Sequence, residues 1–343
     1  MLTKSRCSNI LVTGGCGFIG SNFIRYLLSK HNSLRIVNID KLTYAGNLEN
    51  LSSCLDNPNL EIIKGDINDK KLVNKIFSEN AFDAVFNFAA ESHVDRSIHN
   101  PNSFLKTNVG GTLVLLQQTL ESKVERFVQI STDEVYGSLG LEGFFDEQTP
   151  LDPHSPYSAS KASADNFVQA FHHTYGLKTI ITRCSNNYGP YQFPEKLIPL
   201  MLNNLIKKVK LPVYGDGSNV RDWIHVQDHC RGIWAAFAKG NPGEVYNLGG
   251  ECELTNLDLV KKLISLFNLN NDMIEFVDDR QGHDFRYAIN IKKAKDKLEW
   301  EPKIRFETGI KETIDWYLSN KKWLNSVTSG DYINYYEKMY GEL

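Results

Sequence analysis

The sequence predicts an α/β protein, a doubly wound parallel sheet with a smaller α/β lobe attached. Three observations carry that reading. Short apolar runs alternate with amphipathic stretches through the first half of the chain. A glycine-rich turn joins the first apolar run to the first amphipathic stretch. After about residue 185 the rhythm breaks into proline- and aromatic-rich segments.

The runs at 10–13, 35–39, 60–64, 84–88, 127–130 and 179–183 are short and almost wholly apolar, as strands buried on both faces must be. The stretches 20–31, 68–80, 104–122 and 158–175 repeat apolar residues at helical spacing. Strand–helix alternation gives a parallel sheet with helices on both sides. Pro190, Pro194, Pro199 and Pro212 then punctuate the second lobe. Segments 223–238 and 307–319 read as helices returning to the first lobe. The expected division is 1–185 for the first lobe, with returning segments at 222–249 and 307–322. The second lobe takes 186–221, 250–306 and the C-terminal tail.

A chain of 343 residues exceeds one ordinary core, which favours two joined lobes. With 41% hydrophobic and 23% charged residues, it has globular composition. A net charge of -3 offers no basic field for nucleic acid or an anionic membrane. The six cysteines are scattered without a CxxC pair, so neither a disulfide framework nor a metal site is expected. No apolar run approaches the ~20 residues of a bilayer span, and the N-terminus has no signal-peptide pattern. A soluble cytoplasmic protein is the expectation.

The segment ILVTGGCGFIGSNF places its glycines between strand and helix. Gly15, Gly17 and Gly20 fit GxGxxG, and Gly14, Gly17 and Gly20 fit GxxGxxG. Glycine lets the backbone approach a pyrophosphate, whose charge then rests at a helix N-terminus. Asp40 closes the next strand at the spacing of a ribose-binding carboxylate, which favours NAD over NADP. Asp66, after the third strand, suits the adenine edge. Tyr157 and Lys161 form a YxxxK pair on one face of a helix. A free phenol is a poor base at neutral pH, and a nearby ammonium and a nicotinamide cation would favour its ionised form.

With the fingerprint, the strand ending in QIST and YxxxK, the chain resembles the extended short-chain dehydrogenase/reductase family and its Rossmann-type fold. Asp133 and Glu134, in ISTDEVYG, make it similar to that family's nucleotide-sugar 4,6-dehydratases. Further matching segments are DKLTYAGN, AAESHVDRSI, SPYSASKASAD, RCSNNYGPYQFPEKLIPL, LPVYGDGSNVRDWIHVQDH and DDRQGHDFRYAI.

The resemblance implies catalysis by Thr132, Asp133, Glu134, Tyr157 and Lys161. In it Glu134 is the base at carbon 5, Asp133 the acid at carbon 6, and Thr132 a hydrogen-bond partner of the 4-oxygen beside Tyr157. It further implies that NAD contacts Gly14, Gly17, Phe18, Ile19, Gly20, Asp40, Lys41, Leu42, Thr43, Asp66 and Ile67. Phe88, Ala89, Ala90, Ser92, Thr107, Tyr157, Lys161 and Asn187 complete that set.

The implied substrate is dTDP-glucose. Ser92, His93 and Thr132 would meet the sugar, and Asn186, Lys196, Leu197, Arg221, Asn256, Arg280 and His283 the diphosphate side. Pro212 and Tyr214 would frame the base. A guanidinium suits a diphosphate through forked, charge-assisted hydrogen bonds. The resemblance also implies a homodimer joined by a four-helix bundle built from 104–122 and 158–175. Gln281 stands where the family pattern has proline, and Cys16 where it has alanine. A 4-epimerase, a dehydratase of UDP- or GDP-sugars, and a catalytically silent NAD-binding regulator are the competing readings. Asp133–Glu134 weighs against the first, and the intact set of five catalytic residues against the last.

Overall fold

The computed structural model describes residues 7–329. Its strands are β1 (Asn9–Thr13), β2 (Arg35–Asp40), β3 (Leu60–Lys64), β4 (Ala84–Asn87), β5 (Arg126–Thr132), β6 (Thr179–Cys184), β7 (Asn186–Tyr188), β8 (Leu211–Tyr214), β9 (Val220–His225), β10 (Val245–Leu248), β11 (Glu253–Thr255) and β12 (Ile274–Val277). Its helices are α1 (Phe18–Lys30), α2 (Lys70–Glu79), α3 (Val94–His99), α4 (Pro101–Phe104), α5 (Thr112–Glu121), α6 (Pro156–Tyr175), α7 (Leu197–Lys207), α8 (Val226–Lys239), α9 (Asn256–Leu266), α10 (Lys292–Leu298), α11 (Phe306–Ser319) and α12 (Lys321–Val327).

Seven strands form one sheet in the order β10-β6-β5-β4-β1-β2-β3. All six pairings in it are parallel. The reversal of strand order between β1 and β4 opens a crevice above their C-terminal ends, where ligands bind in such sheets. Two apolar layers sandwich the sheet. One joins α1 and α8 through Phe23, Ile24, Leu27, Ile233 and Phe237. The other joins α2, α5 and α6 through Val73, Phe77, Leu115 and Val168. The second lobe has its own core around Met201, Leu202, Leu259 and Leu263, with a three-stranded sheet β11-β9-β7 and the pair β12-β8.

The six expected strands are all present, within a residue or two at their ends. Four features differ from the sequence reading. The expected helix 223–238 begins as strand: β9 takes Val220–His225 and pairs with β7 and β11 before α8 starts. Periodicity cannot separate a short buried strand from a buried helical turn. The expected helix 104–122 contains a π-helical segment, Leu105–Gly111, ahead of α5. In the expected second lobe, α10 and Trp300 pack on the first core. Conversely α11, expected to return to the first lobe, gives Phe306, Ile310, Ile314 and Tyr317 to the second core. An amphipathic face requires burial but does not specify which core receives it.

Candidate active site

The first crevice begins at the turn after β1. Gly14 has φ +69°, and a Cβ there would lie 2.7 Å from the Ala89 backbone. A Cβ on Gly20 would meet the Gly14 carbonyl at 2.4 Å, so α1 can approach the turn only with glycine at that position. Gly17 caps α1 without a side-chain hydrogen bond, and the first turn of α1 has no acidic residue. Its N–H groups therefore face the crevice ready for an anion, which fits a pyrophosphate. Asp40 steadies the turn: its carboxylate accepts from the Cys16 N–H and the Leu42 N–H, each at 2.8 Å. Asp66 pairs with Lys41 at 2.9 Å across the rim.

Of the predicted cofactor residues, all but Leu42 line this crevice. Leu42 instead packs its side chain on the first core, and only its backbone reaches the site. Thr107 is presented by the π-helical segment. Beside it Asn108 exchanges hydrogen bonds with the Glu91 backbone, and it donates to Ser160 of α6 at 2.8 Å. The irregular turn thus ties β4, α5 and α6 together under the crevice.

The floor is the end of β5. A single helical turn, Asp133–Tyr136, follows Thr132, whose hydroxyl accepts the Glu134 N–H at 3.2 Å and donates to Asp133 at 3.3 Å. Fully buried Val135 anchors the turn, as does Tyr136, which donates to Asn247 at 2.9 Å. The adjacent carboxyls Asp133 and Glu134 have different surroundings. Burial pushes Asp133 well above the usual carboxylate range, Glu134 and Asp222 push it further, and Arg221 and Thr132 only partly oppose them. Asp133 Oδ2 has no hydrogen-bond partner among the described residues. Burial also raises Glu134, but Lys196, Arg280 and Arg221 all favour its anion. Environments that separate two carboxyls in this way set up one acid and one base.

Tyr157 enters from α6, whose start is fixed by Pro156 and a capping box between Ser155 and Ser158. Lys161, on the same helix and lining the same crevice, donates its Nζ to the Ile130 carbonyl at 2.6 Å. Burial holds the Tyr157 phenol well above the ordinary tyrosine range, with Glu134 adding to it and Thr132 opposing.

A second cleft opens beyond Glu134, lined by His93, Asn186, Lys196, Leu197, Pro212, Tyr214, Arg221, Asn256, Arg280 and His283. The predicted substrate residues Ser92 and Thr132 face the first crevice instead. Lys196 donates to the Ser92 carbonyl at 2.6 Å, so its ammonium stays near Glu134 at the junction of the clefts. Arg221 is held by the Asp284 and Val220 carbonyls and lies over the Tyr287 ring at 4.3 Å. Arg280 pairs with Asp95 at 3.5 Å, while its Nε and Asn256 Oδ1 have no hydrogen-bond partners among the described residues. Burial and the nearby arginines press His283 down to about 4, so it offers the cleft a neutral ring. His93 is likewise kept neutral by burial and Lys196, with Nε2 3.1 Å from the Glu195 carbonyl.

Glu195, Trp223, Asp284 and Tyr287 also line the second cleft and were not singled out from the sequence. They lie inside matched segments, next to or near Lys196, Arg221 and His283, but no spacing rule distinguishes them.

A parallel sheet with an anion-ready glycine turn, opening onto a second cleft through a Thr-Asp-Glu and Tyr-Lys constellation, defines an NAD-type nucleotide-sugar enzyme. The sequence matches the GDP-mannose 4,6 dehydratase family over residues 11–313, and the chain belongs to that family. It is 51% identical to a dTDP-glucose 4,6-dehydratase of Xanthomonas campestris pv. campestris, covering 94% of this chain and 96% of that one. A crystal structure of a dTDP-glucose 4,6-dehydratase from Streptomyces venezuelae, solved with NAD bound, superposes with TM-score 0.91 at 46% identity. That match covers 93% of this chain and 99% of the other. A UDP-glucose 4-epimerase from Thermotoga maritima gives TM-score 0.85 at 32% identity, over 91% and 99% of the chains.

Proposed function

We propose that the protein is an NAD-dependent hydro-lyase that converts dTDP-glucose to dTDP-4-keto-6-deoxyglucose and water. The observation that carries this is the Asp133–Glu134 pair, a buried carboxyl next to a half-buried one that faces Lys196, Arg280 and Arg221, beside Tyr157 at the junction of the clefts. An epimerase needs no such pair. The greater identity to dehydratases than to the 4-epimerase agrees.

Bound NAD accepts the hydride from carbon 4 and returns it at carbon 6. The chain supplies the remaining steps. Tyr157 takes the 4-hydroxyl proton while Thr132 hydrogen-bonds the same oxygen. With carbon 4 a carbonyl, the carbon-5 proton becomes acidic and Glu134 removes it. Asp133, kept protonated by burial, gives its proton to the departing 6-hydroxyl. Arg221, Arg280 and Asn256 hold the diphosphate side, and Pro212 and Tyr214 frame the base. The Asp40 carboxylate favours a free ribose hydroxyl over a 2′-phosphate.

Incubating the protein with NAD and dTDP-, UDP- and GDP-hexoses, and following 4-keto-6-deoxy product, tests this. Product should form with dTDP-glucose; a C4 epimer without loss of water would overturn the proposal.

The reading includes a homodimer in the cytoplasm. Leu105 on the π-helical segment and Phe167 and Tyr175 on α6 expose large apolar side chains, as a helical interface between two copies requires. A monomer by light scattering at micromolar concentration would count against it. Among the described residues no helix is long and apolar enough to cross a membrane.

A further inference from the structure

We propose that His154 and Asp284 form a proton relay linking Glu134, through Tyr287, to solvent. The inference rests on the reading of Glu134 as the carbon-5 base. Its geometry is a line of hydrogen-bonded groups from the surface to Tyr287, which lines the same cleft as Glu134. His154 stands in the loop before α6 with its side chain 41% exposed. One ring nitrogen, Nε2, lies 3.2 Å from the solvent-facing Asp152 carboxylate. The other, Nδ1, lies 2.6 Å from Asp284 Oδ1. The Asp284 side chain is only 5% exposed, and its second oxygen accepts a hydrogen bond from the buried Tyr287 phenol. Tyr287 and Glu134 line the same cleft, and Glu134 adds to the burial that holds the phenol neutral.

Each group along this line gives and takes one proton. When the carbon-5 C–H bond breaks, its electrons pass into the new carbon–carbon double bond and its proton goes to Glu134. Glu134 then passes its proton across the cleft they share to the Tyr287 oxygen as the phenol proton moves to Asp284. Asp284 passes a proton to Nδ1 of the neutral His154 ring, and Nε2 releases one to water. Nothing is oxidised or reduced, and the reverse sequence brings a solvent proton back to carbon 5. Asp284 raises His154 above the ordinary imidazole range, which brings its proton exchange toward neutral pH. A purely structural clasp between the loop before α6 and the 278–287 segment would need the His154–Asp284 contact but not the Tyr287 bond or exposure to solvent.

The test uses the NAD-loaded full chain with dTDP-glucose in deuterated water, following deuterium at carbon 5, reduced cofactor and product together. His154→Ala should slow carbon-5 exchange by about tenfold while reduced cofactor still forms. Added imidazole should restore most of the exchange, because a small base can occupy the exposed position. Asp284→Asn should slow exchange without imidazole rescue. Exchange at the unmodified rate in His154→Ala, or a loss that imidazole never restores, overturns the relay. A Glu134→Gln variant in the same experiment separates the two readings. If it exchanges carbon 5 at full rate, the assignment of Glu134 itself fails; if it does not exchange, the His154 result judges the relay alone. His154 is exposed, so its variant remains informative if Asp284→Asn does not fold.

Discussion

The two clefts that meet at Glu134 are built by opposite means. The cofactor crevice is mainly backbone: glycines at the β1–α1 turn, the open N-terminus of α1, and strand ends of one parallel sheet. The second cleft is mainly side chain, and its polar groups come from many separate elements, among them α3, the segment before α7, β9, α9 and the segment after β12. A site made of backbone fails when a side chain is added. A site made of side chains fails when one is removed.

The largest test of that contrast is at the junction. Glu134→Gln should lower turnover by about 10²–10⁴-fold while single-turnover absorbance still registers reduced cofactor. Asp133→Asn should also impair release of water, with carbon-5 exchange retained. If both variants eliminate water at the unmodified rate, the chemistry lies elsewhere.

Deeper in the second cleft, Arg280→Ala removes a charged donor with one unpaired N–H. A rise in KM of about 10–100-fold is expected, reflecting the worth of hydrogen bonds to charged groups, with less effect on kcat. An unchanged KM would place the diphosphate away from Arg280.

In the first cleft the damaging change is an addition. Gly20→Ala puts a methyl 2.4 Å from the Gly14 carbonyl, against backbone that cannot yield cheaply. We expect a loss of about 1–3 kcal/mol by denaturant unfolding, together with weakened NAD binding. Asp40→Ala should be milder, about 1 kcal/mol in NAD affinity from released backbone hydrogen bonds, with discrimination against NADP narrowed. Equal NAD and NADP affinity in the unmodified protein would break the argument for Asp40.

Much of the first cleft was legible because its signals are local. A glycine spacing between strand and helix, a carboxylate at the end of the next strand, and a YxxxK pair each occupy one short window. The exception, Leu42, sits inside such a window, but its backbone turns to φ 55° and sends the side chain to the core. The second cleft was legible only as motif resemblance. Glu195 and Asp284 carry no spacing that marks them, because their partners Arg96 and His154 lie far away in the chain.

By itself the sequence determined the parallel sheet, the glycine turn at the first strand–helix junction and the presence of two carboxyls near a Tyr–Lys pair. Those follow from short-range patterning, where hydrophobic period and glycine placement act within a few residues. Only the tertiary structure shows how differently the two carboxyls are surrounded. Asp133 and Glu134 are neighbours in the chain with nearly the same intrinsic acidity. Their difference arises because folding brings Asp222 toward one and Lys196 and Arg280 toward the other. Desolvation and charge proximity depend on what packs nearby in space, which no local pattern encodes.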